Sequence, residues 1–265
     1  MLPLRDDNPT SLTPVVTWSL IGLCVAVFLY QLGLGAMEER RFMVALGTIP
    51  AVLLGGERLP PDLALVPALM TPLTSMFLHG DILHLGGNML YLWIFGNNVE
   101  DAMGHWRFLA FYVVCGVAAA LFHAVQDPGD VVPMVGASGA ISGVLGAYLL
   151  LFPMARVFVW FGFIFMFWVP AIVVLGLWFG FQALSVLGDP SGAQSGIAWW
   201  AHLGGFAVGM ALTLLPAMRR RGFPLFNRKQ TVTRVTVIPR TGQRAATRRR
   251  GPWDPPSGPW GAGRP

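Results

Sequence analysis

The sequence predicts an all-α, polytopic membrane protein built as a bundle of six transmembrane helices. Three observations lead there. Hydrophobic residues make up 54% of the 265 and charged residues 12%, about half the charged share of a soluble domain. The mean hydropathy is +0.59. Apolar stretches long enough to span a bilayer recur along the chain, and its basic residues gather at one end. So few charges could not wet the surface of a soluble globule this large. The two cysteines, Cys24 and Cys115, lie inside apolar runs and read as small buried hydrophobes.

The spans follow in order. The first covers Val15–Leu34, the second Leu83–Val99 and the third Phe108–Val125. The fourth starts at Ser138 and ends at Phe152, before Pro153. The fifth lies within Val157–Leu184, an uncharged stretch of 28 residues. That is too long for an upright helix, so either the helix tilts or the start of the stretch, with Gly162 and many aromatics, is not helical. Pro170 permits a kink. The sixth runs from Trp200 to Met218. Residues Met1–Pro14 hold one Arg and two Asp and show no small-residue cleavage site, so the first span reads as retained.

Charge gives the orientation. Twelve of the 18 Lys and Arg lie after Met218, beside one acid, Asp254. The positive-inside rule puts that end in the cytoplasm, and six spans bring the N-terminus there too. Only Arg40, Arg41 and Arg58 then fall outside, in a long first outer loop, Gly35–Phe77. The organisation expected is a short cytoplasmic N-terminus (1–13), a six-helix domain (14–218) and a basic, Pro- and Gly-rich, disordered cytoplasmic tail (219–265) that meets lipid headgroups. Val232–Ile238 alternates and could form a short strand. The tail shows no nucleic-acid-binding fold, and no nucleic-acid partner is expected.

Polar residues inside spans are costly and point to function. Three clusters qualify: His79, His84 and Asn88 near the start of the second span; Gly136-Ala137-Ser138-Gly139, with Ser142, at the start of the fourth; and Ala201-His202, with Gly205 and Gly209, at the start of the sixth. Even-numbered spans all begin on the outer side, so these groups share one membrane depth. Small residues at spacing four (Ser138, Ser142, Gly146; Ala201, Gly205, Gly209) let two helices approach closely. If those stripes face each other, Ser138 and His202 meet. The fourth span rises only about 22 Å against a core of about 30 Å, so Ser138 sits below the membrane surface.

This arrangement suits acyl transfer. His202 would take the Ser138 proton, and Asn88, His84 and the Ser138 backbone N–H would face the oxyanion. Asp81 shares no helix face with His84 or Asn88, so a Ser–His dyad is expected rather than a triad. Each residue also has a plainer reading: serine as a packing residue, histidine as a satisfied polar group. His105 and His123 are read in that second way. His79, His84 and His202 could form a metal site, but no HExxH motif is present and no Cys is near. A solute transporter would want polar groups near the midplane and internal repeats, and neither is visible.

With these residues in hand, the sequence resembles the rhomboid family of intramembrane serine proteases over nearly all of Leu12–Met218. The family's His, four residues, His, three residues, Asn pattern is met by His79, His84 and Asn88. Its Gly-x-Ser-Gly motif is met by Gly136–Gly139, and its Ala-His-x-x-Gly-x-x-x-Gly motif by Ala201, His202, Gly205 and Gly209. The resemblance implies a rhomboid-like six-helix fold of the basic bacterial type. It implies a Ser138 nucleophile and a His202 general base. Asn88, His84 and the backbone N–H groups of Ser138 and Ala137 would line the oxyanion hole, with His79, Gly136, Gly139, Gly205 and Gly209 as structural neighbours. It further implies no cofactor or metal, and substrates that are single-span membrane proteins cut near the outer face of the plasma membrane. The family's gate would correspond to Trp168–Leu184 with Gly188–Trp199. Many members carry an aromatic four residues after the nucleophile, stacked on the histidine. Here that position is Ser142, which leaves open what orients His202. Non-catalytic relatives that bind client helices typically lack the serine or the histidine.

Overall fold

The computed structural model describes residues 2–162, 165–190, 192 and 196–227, all within the compact unit Met1–Thr231. The possible strand at Val232–Ile238 lies outside the described residues, as does the tail after Asn227.

Helix α1 (Val15–Leu32) opens the bundle. Its first backbone N–H groups are satisfied from far along the chain. The Glu100 carboxylate accepts from Val16 N at 3.0 Å, Thr17 N at 2.8 Å and Thr17 Oγ1 at 2.7 Å. Such an anion suits the positive end of a helix. The segment expected to be the first outer loop is itself structured. It holds α2 (Ala36–Leu46), the single turn α3 (Pro50–Leu53), and α4 (Thr71–Thr74) between two 3₁₀ turns. Next, α5 (Ile82–Tyr91) starts on Asp81, whose side chain accepts from Leu83 N and His84 N at 2.8 Å each. These bonds hold the exposed Asp81 carboxyl below the usual carboxylate range. Asp81 is thus an N-cap. A π-helical turn, Leu92–Gly96, carries α5 into α6 (Asn97–Met103), which ends at Gly104 with φ +81°. The apolar α7 (His105–Gln126) follows directly.

At the centre stands α8 (Ser138–Leu151). Every residue from Gly139 to Tyr148 is buried, as expected of a helix apolar on all sides. Packed beside it are α9 (Ala171–Gly188) and α10 (Trp199–Leu214). The contact between α8 and α10 is made by backbone. A Cβ on Gly205 would run into the Gly139 carbonyl, one on Gly209 into the Gly143 carbonyl, and one on Gly146 into the Phe206 carbonyl. The small-residue stripe of α8 is therefore Gly139–Gly143–Gly146: Gly139 and Gly143 stand where spacing predicts Ser138 and Ser142, and Gly146 is as expected. Ser142 instead donates its hydroxyl to the Ser138 carbonyl at 2.7 Å, a bond within the helix.

The expectation of an all-α fold needs correction. Residues Leu2–Asp6 (β1), Arg156–Phe161 (β2) and Phe165–Pro170 (β3) form an antiparallel sheet in the order β1-β2-β3. Leu2 pairs with Trp160 and Asp6 with Val157, while Arg156 pairs with Pro170 and Phe161 with Phe165. The start of the long fifth apolar stretch is thus a hairpin, and the helix begins only after Pro170. Val157, Val159 and Val169 enter the core, and β-branched and aromatic residues suit a half-buried strand. The Arg5 guanidinium lies over the Phe158 and Trp168 rings at 5.3 and 5.4 Å. Asp6 reaches inward to accept from Tyr148 Oη at 2.6 Å and Asn98 Nδ2 at 2.8 Å. Burial pushes its carboxyl up to about 6.

The segment expected to be tail from Arg219 onward also starts by packing. Arg220 pairs with the buried Asp101 at 3.0 Å, and Phe226 N and Asn227 N donate to the Leu150 and Leu151 carbonyls. Among the described residues, three helices, α1, α7 and α9, are long and apolar enough to cross a membrane.

Two outcomes follow for stability. Gly205→Ala and Gly209→Ala should each cost about 1–3 kcal/mol, the range for overpacking a tight contact. Gly86→Ala, with nothing near its would-be Cβ, should be neutral. Thermal unfolding in detergent reads the difference. Glu100→Ala, which leaves the Val16 and Thr17 donors without their acceptor, should cost about 1–3 kcal/mol, the penalty of an unsatisfied buried donor, in the same assay.

Candidate active site

The glycine contact sets two side chains face to face. Ser138, the first residue of α8, donates its hydroxyl to His202 Nε2 at 2.8 Å. His202 lies in the first turn of α10. With Nε2 accepting, the imidazole proton belongs on Nδ1, where Gln182 Oε1 accepts it at 2.7 Å. Gln182 comes from α9 and is 5% exposed. Two indoles flank the imidazole: Trp178 with ring centroids 6.0 Å apart, and Trp199 edge-on at 6.3 Å. The expected pair of Ser138 and His202 is therefore brought together, and α9 supplies what the sequence left open about the orientation of His202. Ser142 has no part in it, and Asp81 is committed to capping α5.

The turn before Ser138 is pinned from the segment between α1 and α5. Thr48 and Met134 exchange backbone hydrogen bonds at 3.0 and 2.8 Å, Gly136 N donates to the Ser75 carbonyl at 2.9 Å, and Thr48 Oγ1 donates to Ser75 Oγ at 3.0 Å. Gly136 has φ +122°, a conformation that side chains disfavour. Its would-be Cβ lies 2.8 Å from the His84 imidazole and 3.7 Å from Asn88 Nδ2. His84 and Asn88, one turn apart on α5, thus reach the serine turn together. Asn88 is buried and its Nδ2 has no hydrogen-bond partner. Ala137 is fully buried.

His79 stands behind His84, their ring centroids 5.2 Å apart. Its ring is fully buried and both ring nitrogens lack partners. Its backbone is held instead: Gln31 Nε2 donates to the His79 carbonyl at 3.0 Å, and His79 N donates to Gln31 Oε1 at 3.2 Å. His105 contacts Glu100 through Nδ1 at 2.6 Å, the ordinary polar role expected of it. His123 departs from that expectation, being buried with Nδ1 unpartnered. Gly139, Gly205 and Gly209 belong to the helix contact.

Gln182 and Gln31 were not singled out from the sequence. Each is the one side-chain amide of an apolar helix, a kind of group that is costly in a membrane. A cavity of about 700 Å³ lies between residues 47 and 71, lined by Glu57 and Arg58 among others. None of the dyad residues line it, so geometry rather than cavity size identifies the site.

A Rhomboid domain model matches residues 67–219. The mitochondrial Rhomboid protein 1 of Saccharomyces cerevisiae is 36% identical over 143 residues, 51% of this chain and 38% of the yeast protein. Rhomboid protease GluP of Bacillus subtilis is 36% identical over 148 residues, 54% of this chain and 26% of GluP. Rhomboid protease AarA of Providencia stuartii is 35% identical over 89 residues, 29% of this chain and 32% of AarA. The aligned region thus spans well under half the length of these relatives.

Gly136→Ala should strain the serine turn and drive the His84 ring aside, at a cost of about 1–3 kcal/mol for the forced conformation. Thermal unfolding in detergent, with Gly86→Ala as the reference, reads it.

Proposed function

The chain belongs to the rhomboid family of multi-pass membrane proteins, and from that premise we propose that it is an intramembrane serine endopeptidase working through the Ser138–His202 pair. The observation that carries this reading is the 2.8 Å contact between Ser138 Oγ and His202 Nε2. That distance lies within reach for direct proton transfer.

In the proposed reaction His202 Nε2 takes the Ser138 proton as Oγ bonds to the scissile carbonyl carbon. The carbonyl π electrons move onto oxygen. Asn88 Nδ2, the His84 ring N–H and the backbone N–H groups of Ser138 and Ala137 face that oxyanion. The intermediate collapses by breaking the C–N bond, and the imidazolium passes its proton to the leaving nitrogen. Water then attacks the acyl-enzyme with His202 again as base, which frees the carboxylate product and restores the Ser138 hydroxyl. No metal or cofactor takes part. His79 supports His84 from behind.

The substrates proposed are single-span membrane proteins, cut near the outer face. The topology proposed is six crossings: α1, the continuous α5–α6 rod, α7, α8, α9 and α10. Both termini then lie in the cytoplasm, as the basic segment after Met218 favours, and the membrane proposed is the plasma membrane.

Ser138→Ala and His202→Ala should each abolish both fluorophosphonate labelling and cleavage of a transmembrane substrate, with unfolding temperatures unchanged. Asn88→Ala should lower kcat by about 10²–10³, the usual loss for one oxyanion donor. A fully active Asn88→Ala would remove Asn88 from the oxyanion assignment.

A further inference from the structure

We infer that Gln182 is a positioning residue for His202, so that the proposed dyad is completed by an amide carried on α9. The inference rests on the serine-protease reading above.

The general base must present a lone pair on Nε2, which requires the other ring nitrogen to keep its proton. Gln182 Oε1, 2.7 Å from Nδ1, is the acceptor that holds it there. A carboxylate in this place would carry a charge into the membrane interior at considerable cost. The amide gives the same direction without that cost, though it stabilises the imidazolium less. The indole of Trp178, one turn earlier on α9, lies beside the imidazole with ring centroids 6.0 Å apart. One helix thus supplies both the hydrogen bond and a ring wall.

That helix is lightly held. It buries a narrow stripe, Ala171, Val174, Leu175, Gln182 and Val186, while Leu177 and Phe181 are 62% and 61% exposed. Gln182 is the polar member of the stripe. A buried side-chain amide in an otherwise apolar seam is costly unless its hydrogen bonding is specific. Its bond to His202 therefore also sets the rotational register of α9. The titratable groups facing His202 from other elements are His84 on α5 and His123 on α7, both imidazoles.

The test uses the full chain in proteoliposomes. Fluorophosphonate labelling rates are measured across pH, together with kcat and KM on a transmembrane substrate. Gln182→Leu, close in volume but without the acceptor, should slow labelling and lower kcat roughly 10–100-fold, as loss of a supporting hydrogen bond to an active-site histidine does, with KM unchanged. Gln182→Glu should keep the orientation and move the acid limb of the pH profile upward, because a carboxylate beside Nδ1 favours the imidazolium. A residue that merely packs would leave that limb in place. Gln182→Leu as fast as wild type, or Gln182→Glu with an unmoved acid limb, would overturn the assignment. Should Gln182→Leu fail to fold, the near-isosteric Gln182→Glu decides alone. An unreactive wild type would instead overturn the enzyme reading beneath it.

Discussion

Backbone-on-backbone contact between α8 and α10 is the constraint on which the site depends. Where a Cβ on Gly205 or Gly209 would strike a carbonyl of the facing helix, the helices are as close as two helices can be. Lipid gives no hydrophobic push to hold them, so dispersion across that close approach has to serve. The two helices start at the same level, and the first turns of each carry Ser138 and His202. A hydroxyl and an imidazole on short tethers meet at 2.8 Å only because the scaffold beneath them is so closely spaced. One added methyl in the seam would separate the groups at its end.

Around this seam, distant parts of the chain tie down the pieces that carry the site. Glu100, on α6, closes the start of α1. Thr48 and Ser75, between α1 and α5, hold the turn that delivers Ser138. Gln31, at the end of α1, fixes the backbone of His79. Each tie is a polar group satisfied by a partner far away in sequence, which a membrane interior demands of any polar group it admits. The consequence is preorganisation: the start of α1, the serine turn and the backbone of His79 are each fixed by residues far away in sequence.

How much of this the sequence disclosed differs from residue to residue. Ser138, His202, His84 and Asn88 stood out because polar groups at helix starts are conspicuous in a chain so apolar, and because their motifs match a family. The α8 stripe matches expectation at Gly146 and differs at its other two positions, Gly139 and Gly143 in place of Ser138 and Ser142. Spacing of four fits Ser138 and Ser142 as well as Gly139 and Gly143, and only the facing helix distinguishes them. The hairpin was hidden for a related reason: a run of apolar and aromatic residues from Arg156 to Pro170 reads alike as buried strand or as helix. Its partner β1 lies some 150 residues away. Gln182 is hard to see because one amide leaves the mean hydropathy of its apolar run high and the charge of the run zero.

The pairing of β1 with β2 also carries a rule about counting. A hydrogen-bonded pair of strands cannot straddle a bilayer, since unpaired backbone has no place in the hydrocarbon. Leu2–Asp6 and Arg156–Phe161 must therefore lie at the same leaflet. The chain between them can cross the membrane only an even number of times. This parity owes nothing to charge. Any arrangement of α1, α5–α6, α7 and α8 that crossed an odd number of times would tear the sheet apart.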